Sequence, residues 1–376
     1  MNLDFSEEQQ MLRDTVNGVC SEYASVETVR AMEDDPDGYT PEFWKQLGDL
    51  GIAGLTVPEQ YGGSGLSAIE GAIVYEEFGR WLAPSPHFVS SVLAASVLLS
   101  AADEEQKQEW LPRISSGEAI FTTAWLEPGH GYGPEGVQVT ARVAGDEYLL
   151  SGEKLHVAFA NSAARFVVLA RSGEGTEGLD LFIVDPASPG IAMTQQLSLA
   201  SDCQYQVSFD NVKVPASARI GESGSGWRTW NEAMHAGIIM LAAQAMGGAE
   251  RAMAITVQYA KDREQFGKPL GAFQALAHYL ADGQTTVDGG KTLVYQAAWA
   301  HAEGNSIERL APMTKLFTCQ TFRDVTAMCV QVHGGMGFTI EYDIQLYFRR
   351  AKQLQLSWWD SRYLEELIAC AVLDRN

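Results

Sequence analysis

Twice along this 376-residue chain the hydrophobic period changes, from helical to strand-like near Glu118 and back to helical after Glu222. Half-buried strands place apolar side chains at every second residue, and helices at every third or fourth. A uniform all-helical or all-β fold is therefore excluded. The middle stretch holds seven short β-branched or aromatic runs: AIFTTAW, VQVTARVA, EYLLSGEK, RFVVLAR, LDLFIVD, GIAMTQQ and YQVSFDNVKV. Turn formers such as Gly145-Asp146 and Pro189-Gly190 separate them. That pattern predicts a small β domain, a barrel or a sandwich. The division is then a helical domain over 1–117, a β domain over 118–222 and a second helical domain over 223–376.

The helical flanks carry local signals. Ser6, followed by Glu8 and Gln9, suits an N-cap and first turn, with Met11, Leu12, Val16 and Val19 at helical spacing behind it. Pro41 opens a second helix reaching Leu50, with Phe43, Trp44 and Leu47 on its inner face. VPEQYGGSGLS, 57–67, predicts a sharp loop, and helical periodicity resumes directly after it. Past 223, helix patterning covers 227–263, 274–303, 311–331 and 357–373, four long helices that predict a bundle.

Charge and cysteines narrow the function classes. Lys and Arg total 26 against 48 Asp and Glu, so the net charge is 26 − 48 = −22. A protein that holds nucleic acid needs clustered cations, so that class is excluded, while a local basic site for one phosphate ligand is not. Cys20, Cys203, Cys319, Cys329 and Cys370 are scattered and include no CxxC pair, which argues against a metal site and a disulfide framework. Reduced cysteines and the acidic start MNLDFSEEQQ predict a cytoplasmic chain without a secretory leader. The runs 81–102 and 233–249 lack Asp, Glu, Lys and Arg. Their prolines, histidines and serines, or their short length, make them buried helices and not membrane spans.

Three Gly-rich segments could carry chemistry. Gly63-Ser64-Gly65-Leu66-Ser67-Ala68 has the form GxGxxA, but it lies between helices and outside any βαβ unit, so it reads as a turn. In YAKDREQFGKPLGAFQ, 259–274, Arg263 can grip a phosphate at two points. Gln265 and Gln274 add amide donors there, and Phe266 and Phe273 add aromatic faces. Taken alone it is a helix-connecting loop with a solvated arginine. QVHGGMGF, 331–338, exposes backbone N–H groups to a nearby anion, or simply stops a helix. Together the last two could enclose a diphosphate-bearing cofactor.

VPEQYGGSGLS, FDNVKVPASARIGE (209–222), YAKDREQFGKPLGAFQ and QVHGGMGFTIEYDIQLYFRRAK (331–352) resemble the acyl-CoA dehydrogenase family, in its order and spacing and over nearly the whole chain. The resemblance implies an α+β multidomain fold: an N-terminal helical domain, a middle β-barrel and a C-terminal four-helix bundle. It implies FAD-dependent α,β-dehydrogenation of an acyl-CoA thioester, in which a carboxylate takes the α proton and flavin N5 takes the β hydrogen as hydride. An electron-transfer flavoprotein would then reoxidise the flavin. Arg263, Gln265, Phe266, Phe273 and Gln274, with Gln331, Gly334 and Gly335, match the family's contacts to the ADP half of FAD seated on a neighbouring subunit. An oligomer, commonly a dimer of dimers, is implied.

The departures are as informative as the matches. By ungapped count the family's catalytic glutamate falls on Trp358, and the alternative base position used by a subset of members falls on Gly237. Neither can accept a proton. Asp360, two places late, is the weak candidate base, and Glu232 lies more than a helical turn before Gly237. Two hydroxyl contacts to the isoalloxazine are replaced by Leu126 and Ala158, in the stretches Trp125-Leu126-Glu127-Pro128 and His156-Val157-Ala158-Phe159. The pattern is similar to the accessory chain of family heterotetramers, in which a homologous partner supplies the base for bulky, including steroid-type, acyl-CoA substrates. The alternatives are a homotetrameric dehydrogenase using Asp360, a relative running another flavin reaction on a thioester, and a non-redox CoA-ester-binding paralogue.

Overall fold

The computed structural model describes residues 4–373. In chain order the helices of the first part are α1 (Glu7–Tyr23), α2 (Val26–Ala31), α3 (Pro41–Asp49) and α4 (Ala68–Trp81). A π-helical stretch, Phe88–Ala94, then runs into α5 (Ala95–Ala101), and α6 (Glu104–Ser115) follows. The strands are β1 (Phe121–Ala124), β2 (Thr140–Ala144), β3 (Glu147–Ala158), β4 (Arg165–Arg171), β5 (Leu179–Val184), β6 (Ile191–Gln196), β7 (Gln204–Pro215) and β8 (Arg219–Ile220). Helix α7 (Gly226–Asp262) leads to a small hairpin of β9 (Glu264–Gln265) and β10 (Lys268–Pro269). The chain closes with α8 (Gln274–Ala302), α9 (Leu310–His333), α10 (Ile344–Leu356) and α11 (Ser361–Leu373). Among the described residues no helix is long and apolar enough to cross a membrane.

The chain forms two compact units. One gathers 4–30, 67–83 and 238–373 and so brings α1 and α4 together with most of α7 and with α8 to α11. Helices α1 and α4 each start with a capping box, Ser6 with Gln9 and Ser67 with Glu70, which satisfies two amide donors that helix geometry leaves free. Helices α4 and α7 touch backbone to backbone. A Cβ added at Gly247 would lie 1.8 Å from the Glu76 carbonyl oxygen, and one at Gly79 would lie 1.9 Å from that of Gln244. Only glycine fits such a seam. Beside it, Glu77 Oε1 takes Arg13 Nε at 3.2 Å and its Oε2 takes Arg80 Nε at 3.1 Å. Lys291 Nζ lies 3.4 Å from Glu76 and 3.1 Å from Glu250. Burial pushes the Glu76 carboxyl up, against the pull of Lys291 and Arg13.

The second unit spans 31–66 and 84–237. All seven strand runs of the sequence become strands, β1 to β7; β2, β3 and β7 mix buried and exposed positions, while β1 and β5 are buried throughout and β4 everywhere but its ends. The sheet runs β6-β7-β3-β2-β4-β5-β8, with β1 parallel to β4. It is open and not a closed barrel: β8 has two residues, and among the described residues no pairing joins it to β6. The 57–67 loop folds back on its own lead-in, Gly65 N donating to Val57 O at 2.9 Å and Leu66 N to Leu55 O at 3.0 Å. Those amides are committed, which fits a turn and leaves them no role in cradling a dinucleotide.

Two features differ from the sequence reading. The C-terminal helical domain contains the four expected long helices, and α10 is added within the motif of 331–352. Its buried Ile344, Leu346, Tyr347 and Ala351 are interleaved with Arg349, Arg350 and Lys352, so its apolar stripe is thin in sequence. The helix expected over 87–102 begins as a π-helix, a register that leaves no mark in composition.

Candidate functional site

Helix α7 ends at Asp262, and the chain turns at once into the hairpin. Gln265 pairs with Lys268 across a two-residue turn, and both turn residues are left-handed, Phe266 with φ 54° and Gly267 with φ 79°. This is the turn a right-twisted hairpin favours. It leaves the Phe266 ring 92% exposed, in edge contact with Phe273 at 6.3 Å. Lys268 Nζ sits 4.2 Å from the centre of the Phe273 ring. Arg263 and Gln274 are exposed, and the Arg263 guanidinium makes no hydrogen bond or ion pair among the described residues. The loop is closed on its backbone by Leu270 N donating to Arg263 O at 2.8 Å. Arg263, Phe266 and Gln274 are thus presented outward, while the Gln265 amide donates to Glu264 O at 2.8 Å and Phe273 is half-buried.

The second predicted segment lies beside the first. Tyr259, four residues before Arg263, stacks on His333 with centroids 4.3 Å apart and an interplanar angle of 22°. Tyr342 closes edge-on against both rings. Gly334 ends α9 with φ 63°, and nothing lies within 4 Å of a Cβ built on Gly334 or Gly335, so both backbones face open space. Gln331 is exposed next to them. His333 was not foreseen. Its Nδ1 lies 2.8 Å from Cys329 O, and its buried Nε2 has no partner among the described residues. Burial pushes its pKa down, so the ring is held neutral. An exposed arginine, two exposed amides and an open glycine backbone are a donor set that fits a diphosphate-bearing ligand.

At the position where the ungapped count puts the family's base, the structure places a strained turn. Trp358 and Trp359 are both left-handed, with φ 56° and 72°, an uncommon state for bulky residues. Lys315, fully buried on α9, holds the turn by donating to Leu354 O at 3.2 Å, Ser357 O at 2.9 Å and Trp359 O at 2.9 Å. Asp360 Oδ1 accepts from Tyr363 N at 2.9 Å, so its carboxylate caps the start of α11. The alternative position fares no better: a Cβ at Gly237 would meet Leu93 Cδ2 at 2.8 Å and Phe88 at 3.4 Å. Glu232 is exposed. Lys315 could have been found in the sequence. It shares helical spacing with Ala311, Thr318, Cys319 and Phe322, and a lysine on such a stripe signals burial.

On the β side, Leu126 and Ala158 carry no hydrogen-bonding side chain, and the Thr122 hydroxyl is committed to Ala158 O. Between them runs a buried ion pair. Lys154 Nζ lies 2.6 Å from Glu127 Oε1 and 3.1 Å from Trp125 O, while Glu127 also accepts the amides of Gln138 and Val139, each at 2.9 Å. Burial pulls the Lys154 ammonium down to about 8, opposed by Glu127. Among the described residues no group of three or more His, Cys, Asp or Glu could hold a metal.

Comparison with known proteins shows the family. The chain matches the acyl-CoA dehydrogenase N-terminal domain over residues 6–118, the middle domain over 122–212 and the C-terminal domain over 224–358. It is 30% identical to a probable acyl-CoA dehydrogenase, YngJ, of Bacillus subtilis, covering 99% of this chain and 100% of the relative. It is likewise 30% identical to the caffeyl-CoA reductase-Etf complex subunit CarC of Acetobacterium woodii, with 99% and 100% covered. Among solved structures, the ChsE4-ChsE5 complex of Mycobacterium tuberculosis superposes with a TM-score of 0.90 at 28% identity, covering 100% of each chain. The chain belongs to the acyl-CoA dehydrogenase family, whose members are FAD flavoproteins that oxidise or reduce acyl-CoA thioesters.

Proposed function

We propose that this chain is the base-lacking subunit of a heteromeric acyl-CoA dehydrogenase, working beside a homologous subunit that supplies the carboxylate. The observation that carries the reading is the turn at 357–360: a tryptophan stands where the base belongs, Lys315 fixes it there, and the nearby Asp360 is committed to a helix end. Gly237 carries no side chain, and one added there would have to displace Leu93 Cδ2. Arg263, Gln265, Phe266, Phe273 and Gln274, with Gln331, Gly334 and Gly335, bind the ADP half of FAD on the neighbouring subunit, which explains why Arg263, Phe266 and Gln274 point away from their own chain. Bound there, FAD supplies the hydride acceptor. This chain's residues grip its diphosphate and orient it, and they move no proton.

The likeness to the ChsE4-ChsE5 complex supports a heteromeric pair, and the likeness to CarC supports an electron-transferring flavoprotein as redox partner. A bulky acyl-CoA, steroid-type included, is the substrate class that the heteromeric reading brings with it. Five unbridged cysteines, four of them buried, suit a cytoplasmic setting.

The test is expression alone and with any homologous subunit encoded beside it, following acyl-CoA bleaching of the flavin band. Bleaching only in the pair is the expected result, and full bleaching by this chain alone would overturn the proposal. In the pair, Arg263→Ala should weaken FAD retention by about 1.5–3 kcal/mol, the strength of a charge-assisted hydrogen bond, read by flavin release on dialysis. Asp360→Ala should lower stability by about 1 kcal/mol in urea, as a lost cap, and leave bleaching unchanged.

A further inference from the structure

We propose that Arg30 positions the cofactor grip: from the last turn of α2 it clamps the loop that follows α9, and so holds Gly334 and Gly335 in the shape that meets the FAD diphosphate. The proposal rests on the FAD reading above and goes beyond it, because Arg30 belongs to none of the segments assigned to the cofactor.

The loop joining α9 to α10, residues 334–343, has little of its own to hold it. Its backbone hydrogen bonds are local: Gly337 N donates to Gly334 O at 3.0 Å, Thr339 N to Met336 O at 3.2 Å and Tyr342 N to Thr339 O at 3.3 Å. Phe338 is 73% exposed and Ile340 74%, so burial does not anchor its outer part. Among the described residues, the hydrogen bonds that tie this loop to anything beyond its two flanking helices all come from Arg30. Nη1 donates to Ile340 O, and Nη2 donates to Asp343 Oδ1 at 2.9 Å. One planar guanidinium thus brackets Glu341 and Tyr342 between its two acceptors. Arg30 is itself well placed to do so. Val29 beside it is buried, and Glu27 on the same helix accepts from the Ser25 hydroxyl at 2.8 Å.

The bracketed Tyr342 is what connects the clamp to the grip. Its ring meets His333 edge-on at 5.5 Å and Tyr259 at 6.2 Å. His333 immediately precedes Gly334, and Tyr259 lies four residues before Arg263. One aromatic cluster therefore sits between the two halves of the grip, and Tyr342 is the member that the loop contributes. Gly334 and Gly335 have the widest backbone freedom of any residue type, and nothing lies within 4 Å of a Cβ built on either. Their orientation is left to the ends of the loop: α9 on one side and the Arg30 clamp on the other. A loop ordered before FAD arrives spares the ligand the entropy of ordering it.

The test uses the chain co-expressed with its homologous subunit and stripped of flavin. FAD affinity is titrated by flavin fluorescence for the parent, Arg30→Met, Asp343→Asn, the double variant and Arg263→Ala. Hydrogen exchange and melting are recorded on the flavin-free protein. Arg30→Met should weaken FAD about fivefold, the scale of a half-exposed charge-assisted contact. It should also raise exchange at 334–343 and leave the melting of the flavin-free protein unchanged. Asp343→Asn should weaken FAD less, and add nothing in the Arg30→Met background. Unchanged affinity in Arg30→Met, losses that add in the double variant, or a loss accompanied by lower melting and faster exchange throughout the bundle would each overturn the proposal. Arg263→Ala separates the two failures: if it too leaves affinity unchanged, the cofactor reading is what fails, and if it alone weakens FAD, only the clamp fails.

Discussion

Replacing Glu127 with leucine should cost the protein about 3–5 kcal/mol, the usual penalty for stranding one partner of a buried ion pair. The cost has two sources. Lys154 stays fully buried with only Trp125 O within hydrogen-bonding reach, and the amides of Gln138 and Val139 lose their acceptor. The double variant Glu127→Leu/Lys154→Met removes the first source and not the second. It should recover most of the loss and retain a deficit of about 1–3 kcal/mol from the two amides. Urea unfolding of the single and double variants measures both. The single variant should also extend to lower pH a dependence that the parent already has, because Lys154 is at about 8 with Glu127 in place. Without Glu127 only burial acts on Lys154, so its folded pKa falls below about 8 while the unfolded value stays near 10.4. The unfolded state then binds more protons in that window, and stability rises with pH across it. A loss below about 1 kcal/mol would show that the pair is not what joins β3 to the 125–127 segment.

Lys315→Met is the second large effect, at about 3 kcal/mol. Three carbonyls, of Leu354, Ser357 and Trp359, lose a charge-assisted donor. The relief of no longer burying an ammonium offsets part of that loss. What distinguishes it from an ordinary core substitution is where the damage falls. Trp358 and Trp359 are left-handed only while that lysine holds the carbonyls around them, so the turn should relax and open. Hydrogen exchange should rise first at 357–360 and at the start of α11, ahead of the rest of the bundle. Uniform acceleration across α9, α10 and α11 would contradict the role assigned to Lys315.

The sequence discloses what periodicity and side-chain type encode. The seven strand runs, the capped starts of α1 and α4, and the outward arginine loop at 259–274 all carry their signal locally. Other features depend on a partner far away in the chain. Lys154 looks like a solvated lysine until Glu127 is brought to it, and the stripe that marks Lys315 as buried does not name the carbonyls of 354–359 that it holds. The signs of φ at Trp358 and Trp359 are invisible because neither of these residues is a glycine. The open sheet depends on β8 stopping after two residues, a difference of length and not of composition. The candidate base shows the same limit: Asp360 could be named from its place in the chain, but its use as a helix cap required the Tyr363 amide to be placed.

The division of the chain into nested units has a consequence for how it is made. Helices α1 and α4 leave the ribosome early, yet the surfaces they cover, on α7 and α8, are not translated until residues 238–302. At ordinary elongation rates the ribosome takes roughly 10–40 s to pass from α4 to Lys291. During that interval the intervening unit, complete at residue 237, can fold first. Glu76 and Glu77 wait with their charges in water and the Gly79 seam without its counterpart. These helices thus wait for partners that are synthesised only after the whole intervening unit.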